Sequence, residues 1–372
     1  MAEAAHERIR VVVLFGGRSS EHAISCISAG SVLSALDRGR YEVVPLGITP
    51  DGRWVRMPDD PALLTIRQGE LPSVDGSGAE VLLRPADGAS VLVDLAAPSA
   101  VRSIDVVFPV MHGPWGEDGT VQGLLELADV PYVGSGVFAS AAGMDKGHMK
   151  RLFLAAGLPT GPFEVVTDRQ WSTDRAATLA RCWALAQPPG LPLFVKPARA
   201  GSSVGITKVR TADELAVAIE FAREHDPKVI VEAAIEGARE IECAVLVDNG
   251  IPRASCCAEI VVKGDHEFYD FDAKYLDDAV DLIVPAVLDA DIEGRVQRTA
   301  IEAFEALDCR GLARVDFFVL PDGSVLLNEI NTMPGFTSIS MFPRLWAESG
   351  IEYPQLIDTL INDALRRGTG LR

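Results

Sequence analysis

Two acidic side chains and an amide near the C-terminal end of the chain have the types and spacing of a metal site. They are Asp316, Glu329 and Asn331, within the stretch from Gly311 to Met341. Two apolar runs in this stretch flank Pro321–Gly323, a sequence typical of a turn, so the pattern predicts a β-hairpin. Carboxylate and amide oxygens on neighbouring strands suit Mg²⁺, which takes few protein ligands together with phosphate oxygens.

Side chains alternate between the two faces of a strand, so each strand of this hairpin presents one set of residues to the site. The two sets expected to share a face are Arg314, Asp316 and Phe318, and Leu327, Glu329 and Asn331. Arg314 could neutralise charge on a transferring phosphoryl group. A solvated sheet face would explain the carboxylates equally well. The polar turn sequence at 331–335 favours a binding site, because backbone N–H groups at a strand end bind oxyanions.

Length, charge and cysteine content limit the classes of protein to which the chain can belong. With 372 residues it is expected to form two or three domains. A formal net charge of −19 argues against a nucleic-acid surface, which needs patches of Lys and Arg. The six cysteines lack zinc-type spacing, so buried free thiols are expected. No signal peptide or membrane span is recognisable, which predicts a cytoplasmic protein.

The N-terminal third alternates between apolar strand-like runs and helical stretches. Runs at 9–15, 41–48 and 104–110 predict buried strands, and Ser19 or Ser20 is expected to cap a helix that begins near Glu21. From the residues alone, Glu21 is best interpreted as an ordinary first-turn acid. Residues 51–100 predict irregular structure in which a small hairpin can form.

The strand-and-helix pattern of the N-terminal third is also how a dinucleotide-binding fold begins. No GxGxxG follows the first strand, however, and no GxxxxGK[ST] occurs in the chain. A GxGxxA pattern at Gly134, Gly136 and Ala139 lacks the acidic residue about 20 positions further on that would bind a ribose. The sequence therefore argues against a Rossmann dehydrogenase.

Two lysines in the middle third could contact phosphates. Lys146 lies in the first turn of a helix predicted from residue 144 to about residue 156, and Lys196 lies on a predicted strand at 194–197. The small-residue loop 198–205 follows that strand and leads into another, and its backbone N–H groups could cover phosphates. An exposed edge charge is the commoner role for either lysine alone.

Two later segments have the composition of a hinge and of a lid. The predicted strand 228–232 leads into residues 233–240, where backbone amides could read an adenine edge. Residues 269–275 mix aromatic, acidic and basic side chains, which is unusual for a plain linker and fits a lid over an active site.

Seven short motifs follow one another through most of the chain. They are GGRSSEHAIS (16–25), HGPWGEDGT (112–120), MDK (144–146), VKPARAGSSVG (195–205), YDFDAKY (269–275), RVDFF (314–318) and NEINTMPGFTSISM (328–341). With this ordered set the chain strongly resembles the D-alanine–D-alanine ligase family of the ATP-grasp superfamily. The resemblance implies an α/β, three-domain ATP-grasp architecture. Its domains would be an N-terminal Rossmann-like domain (1–134), a central domain (135–232) and a C-terminal domain (233–372), with ATP between the last two.

The resemblance also implies a reaction. The carboxylate of one D-alanine attacks the γ-phosphate of ATP to give D-alanyl phosphate and ADP. The amine of a second D-alanine then displaces phosphate, and the dipeptide serves peptidoglycan precursor synthesis. Two Mg²⁺ or Mn²⁺ ions would be the cofactors, and the sequence leaves open whether K⁺ also activates the enzyme. A homodimer is implied by the family alone.

Roles for individual residues follow from the resemblance. The metal ligands would be Asp316, Glu329 and Asn331. The ATP site would comprise Lys146, Lys196, Ser202, Ser203, Glu232, Ala234, Ile235, Glu240, Tyr269, Lys274 and Asn328. The D-alanine sites would comprise Glu21, His112, Lys274, Arg314, Ser340 and Met341. The catalytic set would be Glu21, Ser202, Tyr275, Arg314 and Gly335, in which Arg314 and the Gly335 N–H form the oxyanion hole. Glu21 would then not be an ordinary first-turn acid, because it would pair with the ammonium of the first D-alanine.

Two alternatives remain open beside the dipeptide ligase. A D-alanine–D-lactate or D-alanine–D-serine ligase would have the same architecture, although Tyr275 after Lys274 favours the dipeptide-forming type. A catalytically silent nucleotide-binding subunit is the other alternative. The intact set of Arg314, Asp316 and Glu329 argues against it, because a silent copy has no chemical need for these residues.

Overall fold

The structure is a computed structural model that describes residues 8–86, 89–99, 101–186, 192–262 and 280–370. The predicted lid at 269–275, with Tyr269, Lys274 and Tyr275, lies outside the described residues. Within the described part the chain forms four sheets with helices packed against them, which confirms the α/β class. No described helix is both long and apolar enough to cross a bilayer.

The N-terminal unit is a four-stranded sheet in which three strands run parallel. Its strands are β1 (Ile9–Gly16), β2 (Tyr41–Ile48), β3 (Trp54–Arg56) and β7 (Val106–Pro109), in the order β3-β2-β1-β7. Its helices are α1 (His22–Ala35) and α2 (Thr120–Leu127). Strand β1 is buried on both faces: Val11 and Phe15 belong to one core, and Val12 and Leu14 to another. An uninterrupted apolar run is what such a strand requires.

Residues 51–100 are more regular than expected. The small hairpin allowed there is present as β4 (Val81–Ala86) and β5 (Ala89–Asp94), and β6 (Val101–Ile104) extends it to a three-stranded antiparallel sheet. The buried strand predicted at 104–110 is confirmed as β7, although the run begins at the end of β6, which belongs to a different sheet, and the two strands are separated at Asp105. The Asp105 carboxylate accepts a hydrogen bond from the Arg10 N–H at 2.7 Å, so this residue serves the edge of β1.

The central unit is an antiparallel four-stranded sheet with the order β10-β9-β11-β8. Its strands are β8 (Phe163–Val166), β9 (Leu193–Pro197), β10 (Thr207–Val209) and β11 (Val229–Ala233). The helices from this part of the chain are α3 (Val137–Met144), α4 (Lys146–Ala155), α5 (Asp168–Thr173), α6 (Arg175–Trp183) and α7 (Ala212–Arg223). The Asp145 side chain caps α4 through the His148 N–H at 3.0 Å, which confirms the predicted helix start.

The C-terminal unit is a five-stranded antiparallel sheet with helices on its faces. Its strands are β12 (Arg239–Asp248), β13 (Ile251–Val262), β14 (Val280–Ile283), β15 (Leu312–Val319) and β16 (Val325–Asn331), in the order β14-β13-β12-β15-β16. Its helices are α8 (Ala290–Ala306), α9 (Met341–Glu348) and α10 (Tyr353–Arg367). The predicted hairpin is confirmed as β15 and β16.

A bulge in this hairpin overturns one predicted face. Asp316 pairs with Glu329, but the next pair is Phe317 with Leu327, so Asn328 is the extra residue. Leu327 is therefore fully buried in the core instead of sharing a face with Glu329. The alternation of side chains between the two faces fails here because of the extra residue. Residues of β16 before Asn328 point to the opposite face from the one that alternation predicts.

The first and last units share one core. Val11, Val13 and Phe15 of β1 belong to the same buried cluster as Trp346 and Leu360 of the C-terminal helices. This shared packing fixes the N-terminal sheet against the C-terminal unit, so side chains from both can line one site. The domain boundaries at 134 and 232 remain predictions.

Candidate active site

One cavity of about 410 Å³ collects most of the predicted site residues. It is bordered by the start of α1, helix α4, the loop 198–205 and strands of the central and C-terminal sheets. The predicted residues that line it are Glu21, His112, Lys146, Lys196, Ser202, Ser203, Glu232, Ala234, Ile235, Glu240, Arg314, Asp316, Asn328, Glu329, Asn331 and Gly335. Ser340 and Met341 are not among the lining residues.

The β15–β16 hairpin supplies an anionic cluster around one arginine. Arg314 donates two hydrogen bonds of 2.7 Å to the two oxygens of Asp316, and its Nε lies 3.2 Å from Glu242 Oε1. Burial disfavours the charged guanidinium, but Asp316, Glu242 and Glu329 outweigh that effect and raise the pKa of Arg314 well above its usual value. Arg314 therefore stays cationic at the wall of the cavity.

The oxygen donors on this face fit a divalent cation. Asp316 lies directly opposite Glu329 across the strands, and Asn331 Nδ2 donates a hydrogen bond to Asp316 Oδ2 at 3.1 Å. Two carboxylates and an amide oxygen are the donors that Mg²⁺ selects. Among the described residues no group of three or more His, Cys, Asp or Glu forms a metal cluster. Mg²⁺ commonly completes its coordination with phosphate oxygens and water.

Lys146 links the anionic cluster to the loop. Its Nζ donates to the Ala200 carbonyl at 3.0 Å and lies 3.6 Å from Glu329 Oε2. Its backbone N–H donates to the Ala198 carbonyl at 3.0 Å. The side chain is 17% exposed, so the edge-charge interpretation of Lys146 is wrong.

A second charge cluster also borders the cavity. Lys196 Nζ is 2.6 Å from one oxygen of Glu232, and Lys150 Nζ is 2.8 Å from the other. Burial disfavours the charged carboxylate, but the two lysines prevail and hold the pKa of Glu232 well below its usual value. Lys196 lies on β9, an interior strand, so its interpretation as an edge charge is also wrong.

Glu21 occupies the helix N-terminus but does not act as a simple first-turn acid. It is the N-cap residue of α1, and its side chain makes no capping bond. Its carboxylate accepts a hydrogen bond from the Ser202 hydroxyl across the cavity. A side chain on Gly113 or Gly201 would place Cβ 2.5 or 2.9 Å from Glu21 Oε2, so both neighbours must be glycine for this carboxylate to lie there.

Neither predicted capping serine caps α1. Ser19 instead donates its hydroxyl to the His112 carbonyl at 2.8 Å and accepts the Glu21 N–H at 2.9 Å. The hydroxyl thus joins two site segments, 19–21 and 112, that are far apart in sequence. This connection exists only after β1 and β7 have paired.

His112 is buried and its ring is oriented by two partners. Nδ1 lies 3.2 Å from the Met333 carbonyl and Nε2 lies 3.1 Å from the Ser28 hydroxyl. Because a carbonyl can only accept, Nδ1 carries the proton and Nε2 accepts from Ser28. Burial lowers the pKa of His112 and outweighs the opposing effect of Glu21, which favours the neutral ring.

The loop over the cavity has an unusual backbone. Ser202 and Ser203 have φ values of 48° and 57°, in the left-handed region that non-glycine residues rarely adopt. Such strain persists where the surroundings hold it in place, and it is concentrated at functional sites. Here the Ser202–Glu21 hydrogen bond and the Lys146–Ala200 contact hold the loop against the two walls of the cavity.

Two of the backbone N–H groups expected to contact adenine are already hydrogen-bonded within the protein. The N–H groups of Ala233 and Ala234 donate to the carbonyls of Pro162 and Pro192 at 3.0 and 2.9 Å. These two amides are thus engaged in holding β11, whereas the residues themselves still line the cavity.

Comparison with known proteins identifies the family. The models described as D-ala D-ala ligase N-terminus and C-terminus match residues 10–135 and 152–362. The chain is 53% identical to a D-alanine–D-alanine ligase from Streptomyces griseus, covering 100% of this chain and 96% of that protein. It is 55% identical to one from Mycobacterium avium, covering 99% and 100% of the two chains. The chain belongs to the D-alanine–D-alanine ligase family.

Solved structures of family members have the same fold. The structure of the D-alanine–D-alanine ligase from Coxiella burnetii is 36% identical, covers 97% of this chain and 95% of its own, and has a TM-score of 0.81. The VanG D-Ala:D-Ser ligase from Enterococcus faecalis is 34% identical, covers 96% and 99% of the chains, and has a TM-score of 0.83. These likenesses confirm the ATP-grasp architecture.

Several residues that line the cavity were not predicted. Three charged examples are Glu117, Lys150 and Glu242. Lys150 could have been found because it lies four residues after Lys146 on one helix and so on the same face. Glu117 lies inside the motif at 112–120, but nothing in the sequence of that motif indicates that its side chain lines the cavity. Glu242 lies opposite Asp316 only through the pairing of β12 with β15.

Proposed function

We propose that the chain is an ATP-dependent, ADP-forming ligase that joins two D-alanine molecules to D-alanyl-D-alanine for peptidoglycan precursor synthesis. The main support is a sequence identity of 53% and 55% to two D-alanine–D-alanine ligases over essentially the whole chain. The cavity agrees with this proposal, because it places cations for phosphates and carboxylates beside a carboxylate that can hold an ammonium.

In the first step a carboxylate oxygen of D-alanine attacks the γ-phosphorus of ATP, and the bond to the β-phosphate oxygen breaks. ADP leaves and D-alanyl phosphate forms. Glu21 binds the ammonium of this D-alanine, while Lys146 and Lys196 bind the ATP phosphates. Ser202, which donates to Glu21, ties the loop over the phosphates to the amino-acid subsite. Closing that loop would exclude water from the acyl phosphate.

In the second step the amine of another D-alanine, after losing a proton, attacks the carbonyl carbon of D-alanyl phosphate. The resulting oxyanion is stabilised by the Arg314 guanidinium and the Gly335 N–H, and phosphate then leaves. Arg314 is held by Asp316 and Glu242, so its donors are preorganised before substrate arrives. Ser340 and Met341 lie at the start of α9, and we assign them to the carboxylate of the second D-alanine.

A divalent cation would be held by Asp316, Glu329 and Asn331. Mg²⁺ or Mn²⁺ held by these residues would supply positive charge against the charge that develops on the transferring phosphoryl group. Because Asp316 already accepts two bonds from Arg314, the cation and the guanidinium would share that carboxylate. Glu329 faces both Lys146 and Asp316, so its carboxylate adjoins a lysine that would bind phosphate as well as the other carboxylate of the cation site.

The test is ADP release by the purified protein with Mg-ATP and one of four additions: D-alanine, L-alanine, D-alanine with D-lactate, or D-alanine with D-serine. D-alanine-dependent ADP release with D-alanyl-D-alanine identified by mass is the expected result. A mixed product formed in preference to D-alanyl-D-alanine would retain the mechanism and overturn the substrate assignment. Nucleotide binding without ADP release under any condition would support a silent subunit instead.

A D-alanine–D-serine ligase is the second candidate. The observation that favours it is the likeness to the VanG D-Ala:D-Ser ligase, which extends over 96% of this chain. The higher identity to D-alanine–D-alanine ligases favours the dipeptide with two alanines. The D-serine arm of the assay decides between them.

A further inference from the structure

Lys150 is a buried cation that has no role in the proposed ligation mechanism. It lies one helical turn after Lys146 in α4, and its side chain is 3% exposed. Its Nζ lies 2.8 Å from Glu232 Oε1. A lysine is rarely this deeply buried unless it is paired, so the Lys150–Glu232 contact accounts for its place in the fold.

Glu232 is shared unequally between two lysines. Lys196 lies 2.6 Å from the second carboxylate oxygen and is 18% exposed, compared with 3% for Lys150. Both lysines line the cavity, but Lys150 is the more deeply buried partner and Lys196 the more accessible one. The three groups together carry a net charge of +1, so the cluster holds one cation more than Glu232 requires.

We propose that Lys150 is a positioning residue for nucleotide binding: by neutralising Glu232, it leaves Lys196 able to bind a nucleotide phosphate. This inference rests on the proposed function, since it takes the phosphates of ATP as the anion that Lys196 meets. Lys150 itself does not contact the nucleotide. It acts through Glu232.

The physical reason lies in the cost of an unpaired buried charge. Without Lys150, the Glu232 carboxylate would have Lys196 as its counter-ion, and burial strengthens the attraction between them. Lys196 would have to leave Glu232 uncompensated in order to contact a phosphate, which is unfavourable. With Lys150 present, Lys196 can exchange one anionic partner for another while Glu232 stays paired.

The first experiment compares Lys150→Met with wild type and with Arg151→Met, a matched control that removes an exposed cation from the same helix. Calorimetry measures the affinity for ADP and for adenosine, which lacks phosphates. Lys150→Met should weaken ADP binding roughly tenfold or more, as expected when a charge-assisted contact is impaired. Adenosine affinity should be unchanged. Arg151→Met should match wild type for both ligands.

A purely structural role for Lys150 predicts a different pattern. Loosening of the cavity would weaken adenosine and ADP alike, and that result would overturn the proposal. Lys150→Arg, which keeps the charge, should restore ADP affinity. In the ligase assay, Lys150→Met should raise KM for ATP, with KM for D-alanine and kcat at saturating ATP close to wild type.

The decisive experiment repeats the Lys150→Met substitution in a protein that already carries Glu232→Gln. If Lys150 acts through the Glu232 charge, adding Lys150→Met to Glu232→Gln should leave ADP affinity unchanged. An equal loss in both backgrounds would show that Lys150 acts otherwise. The double variant also removes the buried anion, so the test holds if Lys150→Met alone does not fold. ADP binding is measured without ligation, so failure of D-alanine ligation in wild type is distinguishable from failure of this inference.

Discussion

Glu117 should make the stability of this protein depend on pH in an unusual direction. Its carboxylate borders the cavity and accepts the Gly113 N–H at 2.6 Å. Burial, with a smaller contribution from the Glu21 carboxylate, raises the pKa of Glu117 from 4.5 to about 8. Between these pH values the folded protein keeps a proton that the unfolded chain has released. Stability contributed by this group is therefore complete below pH 4.5 and falls as the pH rises towards 8.

The size of the effect follows from linkage. At about 1.4 kcal/mol per pH unit, the interval from 4.5 to about 8 gives an upper limit of about 5 kcal/mol. Water in the cavity screens a carboxylate at its wall, so we expect about 1–3 kcal/mol. Glu117→Gln keeps the shape of the protonated side chain and cannot ionise, so it should remove this contribution.

The assay is urea unfolding of wild type and Glu117→Gln at intervals from pH 5 to pH 8.5. The free energy of unfolding of wild type should fall relative to that of the variant as the pH rises. Glu224→Gln, at an exposed carboxylate, is the matched control and should leave the pH dependence of wild type unaltered. A difference between wild type and Glu117→Gln that is constant with pH, or that grows in the opposite direction, would refute the reasoning.

Three further predictions concern the hairpin and the amino-acid subsite. Glu329→Gln should reduce D-alanine-dependent ADP release by roughly a hundredfold or more without lowering the unfolding midpoint, because it removes a metal-binding charge at constant volume; near-wild-type activity would contradict the metal assignment. Leu327→Ala should lower the free energy of unfolding by about 2–5 kcal/mol in urea, because it leaves a cavity in the core; a loss below about 1 kcal/mol would contradict the buried face. Gly201→Ala should raise KM for D-alanine more than KM for ATP, because its Cβ would lie 2.9 Å from Glu21 Oε2; equal rises would contradict the proposed role of Glu21.

Local pattern was sufficient to predict most of the elements. The turn at Pro321–Gly323, the strands at 9–15 and 41–48 and the helix that begins after Asp145 all occur close to their expected positions. These features depend on neighbours in sequence: an apolar run, a turn-forming residue or a cap. Of the small sheet at 81–104 only a hairpin was anticipated, because its strands are short and its composition is that of a loop.

The bulge at Asn328 shows where local pattern stops being sufficient. Alternation predicts that Leu327 and Glu329 face the same way, and nothing in the order of residues marks an insertion. The bulge is decided by the partner strand, since it lets Leu327 enter the core beside Phe317 while Glu329 stays opposite Asp316. Register is a property of two strands, so one strand alone could not reveal it.

The sequence by itself determined the family, the elements and the types of side chain that could bind phosphate, ammonium and a divalent cation, because ordered motifs and local periodicity are written along the chain. Only the tertiary structure decided which of these groups meet. Glu21 reaches Ser202 from 181 positions away, and Lys150 joins Lys196 on Glu232. Contacts of this kind, and the pKa values that burial imposes on them, depend on packing between distant segments, which no local pattern encodes.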